Sequence, residues 1–178
     1  RIALEAGCHV LCEKPFVYDP ALPHDTLLDT ARELILLAES KGLMLGVCTQ
    51  YATGARMFWE IWDERGQGLP IRQFHGHLES PAKGRTPDPK RVWVDLAPHP
   101  ISVMLRMMPP GEPDWSTLKT QFQGYEAVAN LIWVPATGAP VECNITTRNA
   151  LQPPLNVRHF KVNDYPFVVE GHTDAMGV

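Results

Sequence analysis

The apolar run His9-Val10-Leu11-Cys12 ends in Glu13-Lys14-Pro15, an acid, an amine and an imino acid, and about 80 residues later Asp95 and His99 stand four apart in Asp95-Leu96-Ala97-Pro98-His99. Pro15 steers Lys14 out of the α region into an extended conformation, so a loop must begin where the strand ends. In open parallel sheets ligands sit outside the carboxyl ends of the strands, and an amine there can reach a ligand while the sheet holds its stem. On a helix, Asp95 and His99 share a face. Pro98 and Pro100 lack N–H groups and fit only a first turn, which puts His99 near a helix N-terminus. The dipole there disfavours imidazolium and keeps the ring neutral and basic, while Asp95 stabilises the charged form after proton capture. Histidine titrates near neutrality, so the pair suits acid–base work.

Each of these residues also has a plainer reading: a solvated strand-end pair for Glu13 and Lys14, an N-cap for Asp95, and a packed helix-start histidine for His99. His75 and His77 alternate on one strand face, and with Asp95 and His99 they make the set a metal-assisted hydrolase would use. No metal-ligand motif accompanies them, so no metal site is expected.

The positioning elements follow from periodicity. Arg1–Ala6 reads as the end of a helix stopped by Gly7. His9–Cys12 and Leu43–Cys48 read as apolar strands of a parallel sheet covered on both sides. Between them, Asp25 is a plausible N-cap, and Leu27, Ala31, Leu34, Ile35 and Ala38 fall on one helical face, ended by Lys41-Gly42. Strand, helix and strand of this length make a βαβ unit. Gln50 and Tyr51 follow the second strand's carboxyl end, where ligand contacts are expected. Residues 55–65 read as a helix with Met57, Phe58, Ile61 and Trp62 at helical spacing, 70–79 as a strand, 81–91 as a proline- and charge-rich loop, and 95–108 as one helix. Trp93 is a pocket wall or core. A hairpin turns at Ala136-Thr137-Gly138, and a second strand pair, VRHFKV and PFVVEG, turns at Asn163-Asp164.

The fold class is therefore α/β plus α+β: a βαβ unit of a parallel sheet followed by an α+β domain with a largely antiparallel open sheet. A chain that is 44% hydrophobic and 20% charged buries a core. Its net charge of -4 argues against a nucleic-acid or anionic-membrane surface. No apolar run approaches the roughly 20 residues that span a bilayer. The four cysteines show no CxxC and read as buried free thiols of a cytoplasmic protein.

The run ALEAGCHVLCEKP, then a helix, then KGLMLGVCTQY, resembles the glucose–fructose oxidoreductase/inositol dehydrogenase family, closely through residues 1–51 and more loosely to about residue 172. The D-x-x-x-H pattern of that family matches Asp95 and His99. The resemblance implies that residues 1–51 are the last βαβ unit of a Rossmann-type parallel sheet and residues 52–178 the α+β domain. The resemblance implies an NAD- or NADP-dependent oxidoreductase acting on a CH–OH group of a sugar or polyol. The cofactor takes the hydride, and the protein supplies a base for the hydroxyl proton. It implies catalytic roles for Lys14, Asp95 and His99, cofactor contacts from Glu13, Lys14 and Pro15, and substrate contacts from Gln50, Tyr51, Asp95 and His99. It also implies a cis Lys14–Pro15 peptide and a homo-oligomer, with the open sheet as a common dimer surface in relatives.

The sequence departs from the family in carrying no G-x-G-x-x-G. Only eight residues precede the strand that ends in Glu-Lys-Pro, so the front of the sheet is expected to be missing and the second domain to be incomplete at its C-terminus. The glycine-rich run before the aspartate is Lys90-Arg91-Val92-Trp93 here, and Ser102 stands where a second acid is common. Weak or no cofactor binding and no turnover are expected of these residues alone. A binding or scaffold protein that kept the fold is the alternative.

Overall fold

The computed structural model describes residues 1–65, 68–153 and 156–169. The chain forms two compact units, Arg1–Thr49 and Gln50–Val178, so Gln50 and Tyr51 belong to the second.

The first unit runs α1 (Ile2–Glu5), β1 (Val10–Cys12), α2 (His24–Ser40) and β2 (Leu45–Val47). The strands pair in parallel, Val10 with Leu45 and Cys12 with Val47, which is the expected βαβ unit. Gly7 and Gly42 follow the two helices at φ +81° and +64°, a left-handed conformation that glycine adopts without steric cost. Asp25 is not the cap of α2. Pro23 holds that position in an extended conformation, and Asp25 falls in the first turn, where its charge still complements the helix dipole. Ile35 is exposed, Leu27, Ala31 and Leu34 are half-buried, and Ala38 is the buried residue of that face. Leu11 is 76% exposed, so one face of β1 is bare rather than covered.

The second unit opens with a 3₁₀ turn (Gln50–Thr53) and α3 (Gly54–Arg65). It continues with β3 (Gln73–Pro81), α4 (Pro89–Leu96), α5 (Pro98–Met107), β4 (Gly111–Gln123), β5 (Glu126–Pro135), β6 (Val141–Ala150), β7 (Val157–Val162) and β8 (Tyr165–Val168). The last strand is shorter than the expected PFVVEG, whose Glu170 and Gly171 lie outside the described residues. The six strands are ordered β4-β5-β6-β3-β7-β8, antiparallel except for the central β3–β6 pair. The chain leaves β3, passes through α4, α5 and two strands, and returns beside it as β6.

Strict alternation builds the core. Ala127, Ala129, Leu131 and Trp133 of β5 point to the helix-covered face, as do Val141, Cys143 and Ile145 of β6. Phe58 and Trp62 of α3 and Val103 and Met107 of α5 close over them. Met57 and Ile61, one residue before each buried aromatic, stay exposed because the buried stripe of α3 is narrower than its apolar content. The strand β4 carries no pattern to read: it is an edge strand, mostly exposed, with a register shift between Asp114 and Lys119. The β7–β8 turn is as expected. Asn163 sits at φ +50°, and its Oδ1 accepts from the backbone N–H groups of Arg72 and Gln73.

Cysteine burial departs from expectation. All four thiols are free, but Cys8 is exposed, Cys12 and Cys48 are half-buried, and Cys143 alone is buried. The three upstream cysteines flank or lie on short, thinly covered strands, whereas Cys143 points into the core. Burial pushes the Cys143 thiol from 9.0 up to about 12. Since the folded chain keeps this proton after the unfolded chain has lost it, the thiol's contribution to stability is intact below about pH 9 and declines from there to about pH 12. Cys143→Ala is expected to flatten that decline in melting curves taken across the alkaline range. In the native chain at pH 8, alkylation should label Cys8 and spare Cys143, read by mass spectrometry.

Candidate functional site

Glu13, Lys14 and Pro15 lie in the loop that leaves the carboxyl end of β1, with Glu13 exposed and Lys14 and Pro15 half-buried. The Lys14–Pro15 peptide is cis, as the resemblance implied. Nothing in this unit cradles a pyrophosphate. The sequence has no G-x-G-x-x-G, and the one long helix after β1 begins behind Pro23 with Asp25 in its first turn, where a second anion is repelled.

In the second unit, Asp88 rather than Asp95 caps a helix: its Oδ1 accepts from Arg91 N at 3.0 Å, and Pro89 follows in the first turn. The expected single helix over 95–108 is thereby split. Asp95 falls in the last turn of α4, and a new helix begins at Pro98, because Pro98 and Pro100 cannot donate to the preceding turn. His99 does sit in a first turn, that of α5, and is only 7% exposed. Ser102 Oγ donates to His99 O at 2.6 Å, tightening that turn. Asp95 stands at a helix end where the dipole disfavours an anion, with Arg85 Nη1 3.8 Å from its Oδ2 to offset this.

A close approach fixes α5 on the sheet. A Cβ on Gly76 of β3 would lie 2.7 Å from Pro100 Cβ, so only glycine lets the His99 turn seat where it does. The same contact settles the metal-site alternative. His75 and His77 point from the strand face opposite Gly76, away from the helix that carries His99, so the four residues cannot surround one ion. Among the described residues no group of three potential ligands could hold a metal. His77 is instead committed to the buried Glu79 carboxylate, Nε2 to Oε1 at 2.8 Å, which Arg148 also pairs at 3.1 Å.

His99 has company that the sequence reading only partly named. The Tyr51 ring meets the imidazole edge to face, centroids 4.8 Å apart at 70°. Arg158 of β7 donates from Nε to Tyr51 Oη at 2.8 Å, with its guanidinium carbon 5.4 Å from the Tyr51 ring centroid. Its remaining donors reach Ser80 Oγ and the backbone carbonyls of Glu79 and Val157, so the guanidinium is fixed before it fixes the tyrosine. Gln50 is exposed at the start of the 3₁₀ turn. Trp93 is half-buried, tilted over Phe122 at 5.5 Å, in the wall of an apolar cavity of about 520 Å³. Arg158 had a signal: alternation in VRHFKV puts it on the row of Phe160 and Val162, a charge on a buried face that needs a reason.

No family model and no curated protein matches the sequence. Solved structures do. An inositol dehydrogenase homolog from Azotobacter vinelandii, complexed with NADH and myo-inositol, matches at TM-score 0.65 and 18% identity over 90% of this chain and 43% of its own. An oxidoreductase from Pseudomonas syringae matches at TM-score 0.66 and 19% identity, again covering 90% and 43%. Myo-inositol 2-dehydrogenase from Lactobacillus plantarum matches at TM-score 0.61 and 16% identity, covering 97% and 53%. The chain has the fold of the inositol-dehydrogenase type of oxidoreductase and spans about half the length of the solved structures it matches.

Proposed function

We propose that these residues belong to a nicotinamide-dependent oxidoreductase that oxidises a secondary alcohol of a sugar or polyol. The observation that supports this most is a buried histidine in a helix first turn, held edge to face by a tyrosine that an arginine pins, on the fold of known polyol dehydrogenases. In this reading His99 takes the hydroxyl proton, and Asp95 orients the substrate or steadies the imidazolium. Tyr51 excludes water from one side of the ring, and Gln50 contacts substrate. Lys14, with Glu13 and Pro15, serves the cofactor, and the Lys14 ammonium favours a developing alkoxide. The hydride acceptor is NAD or NADP, whose pyrophosphate these residues do not hold. The setting is cytoplasmic, in keeping with four free cysteines, and the protein self-associates. No described helix is long and apolar enough to cross a membrane.

A binding experiment on the 178-residue chain tests the substrate half of the proposal. Titration with myo-inositol is expected to shift the ring resonances of His99 and Tyr51 saturably. Shifts confined to other parts of the chain, or none, overturn it. Calorimetry with NAD and with NADP on the same chain is expected to show no saturable heat, because the phosphates lack a cradle. Tight binding of either would contradict that assignment of roles.

A further inference from the structure

We infer that a small cavity between the loop preceding α4 and the end of β6 is a subsite for an anionic oxygen group, a carboxylate or a phosphate, beside Asp95. The cavity holds about 120 Å³ and is lined by Arg85, Asp88, Arg91, Asp95 and Asn149, among others, all within the second unit. By the same measure a single water needs only about 10–15 Å³, so the space admits more than one water. One carboxylate or phosphate suits this space.

The sequence leads to it along β6. Val141, Cys143, Ile145, Thr147 and Asn149 form the buried row of that strand, and the row turns polar as it approaches α4. Thr147 has a partner, donating to Ala127 O at 3.3 Å. Asn149 is only 4% exposed, yet its Nδ2 meets no acceptor among the described residues. Buried amide donors are nearly always satisfied, so this one requires an explanation.

The other lining groups say what would satisfy it. Asp88 is committed to the cap of α4, and Asp95 to an ion pair with Arg85. The Arg91 guanidinium has no hydrogen-bond or ion-pair partner among the described residues. What remains unmatched at the cavity is therefore donor capacity, a guanidinium and an amide N–H. Its complement is an oxygen acceptor, and a guanidinium prefers a charged, bidentate one. Arg91 also falls in Lys90-Arg91-Val92-Trp93, the stretch that departs from the family's glycine-rich run, so the feature belongs to this chain.

As a statement about substrate, this deepens the oxidoreductase reading and rests on it: the alcohol would carry an acidic substituent, as a uronate or a sugar phosphate does. As a statement about anion binding it needs no cofactor, and the two can fail separately. The test is an ¹⁵N NMR titration of the 178-residue chain at constant ionic strength with inorganic phosphate, glucuronate, glucose 6-phosphate and glucose. The anionic probes are expected to shift the Asn149 side-chain amide and to bind at least ~10-fold more tightly than glucose. Arg91→Gln, on an exposed helix face, is expected to remove that preference, and Lys90→Gln, which deletes the same charge one residue away, to keep it. Asn149→Asp, which turns the donor into an anion, is expected to abolish binding. Tighter binding of the sugar-borne anions than of phosphate assigns the site to substrate, and equal binding assigns it to a free anion; both uphold the subsite. Glucose shifting the amide as strongly as glucuronate, or Arg91→Gln behaving like Lys90→Gln, overturns it.

Discussion

His99→Gln is expected to lower alcohol oxidation by about 10²–10⁴-fold, the usual cost of losing a positioned general base. The measurement is cofactor reduction at 340 nm, in an enzyme in which these residues follow a glycine-rich phosphate loop. Glutamine keeps the size and hydrogen-bonding capacity of the side chain but cannot titrate, so the loss should fall on kcat with little change in KM. Two neighbours grade the effect. Tyr51→Phe removes the hydroxyl that Arg158 binds and keeps the ring against His99. Arg158→Met removes the clamp itself, and with it donors to Ser80 and two backbone carbonyls. If His99 is the base and Tyr51 only steadies it, Tyr51→Phe costs less than Arg158→Met, and both cost less than His99→Gln. A His99→Gln enzyme with unimpaired kcat would remove the imidazole from the chemistry and leave the fold without the proposed reaction. Rescue of His99→Gly by added imidazole separates a missing base from a damaged fold.

What could be read in the sequence was whatever a single local rule decides. Helix, strand, helix and strand in the first unit follow from two apolar runs, one helical periodicity and two glycine stops, and all four elements stand where those signals put them. His99 in a first turn follows from prolines that can occupy no other part of a helix. The errors arise where two rules compete. Asp25 and Asp95 both look like caps, but a proline before the first and a better cap at Asp88-Pro89 before the second give those carboxylates other work. The strand β4 escaped because an edge strand with a register shift needs no alternation. The exposure of Leu11, Met57 and Ile61 depends on which other elements cover a face, and periodicity does not state that. Arg158 and Asn149 were readable in principle. Each lies on the buried row of its strand, and a polar residue in such a row marks either a satisfied network or a site. Which of the two it is takes coordinates: Arg158 donates from all three of its side-chain nitrogens, and Asn149 Nδ2 meets no acceptor among the described residues.

Phe74→Ala is expected to destabilise the second unit by about 3–5 kcal/mol, a large share of the ~5–15 kcal/mol that holds a typical domain together. Phe74 is 0% exposed on β3, the strand at the parallel junction, flanked by Cys143 on β6 and Val162 on β7. Its strand neighbours are short and buried, so neither can reach across to fill the hole. Urea melts followed by tryptophan fluorescence measure the loss, and a cost under about 1 kcal/mol would mean that this junction is not the core it resembles. The comparison with Gly76→Ala, two residues along the same strand, separates packing from positioning. A Cβ at Gly76 would lie 2.7 Å from Pro100 Cβ and 3.3 Å from Phe74 Cε1. The phenyl ring can give by a few tenths of an ångström. The proline cannot rotate its Cβ away, so the first turn of α5 must move instead, at a cost of about 1–3 kcal/mol. The double variant should then cost less than the sum of the two, because deleting the ring relieves one clash, but it should not recover the Pro100 contact. Gly76→Ala is therefore the smaller lesion in stability and the larger one in the placement of His99. Its signature is a displaced His99 ring resonance in a chain that is still folded, while Phe74→Ala at the same denaturant distance from its own midpoint leaves that resonance where it was.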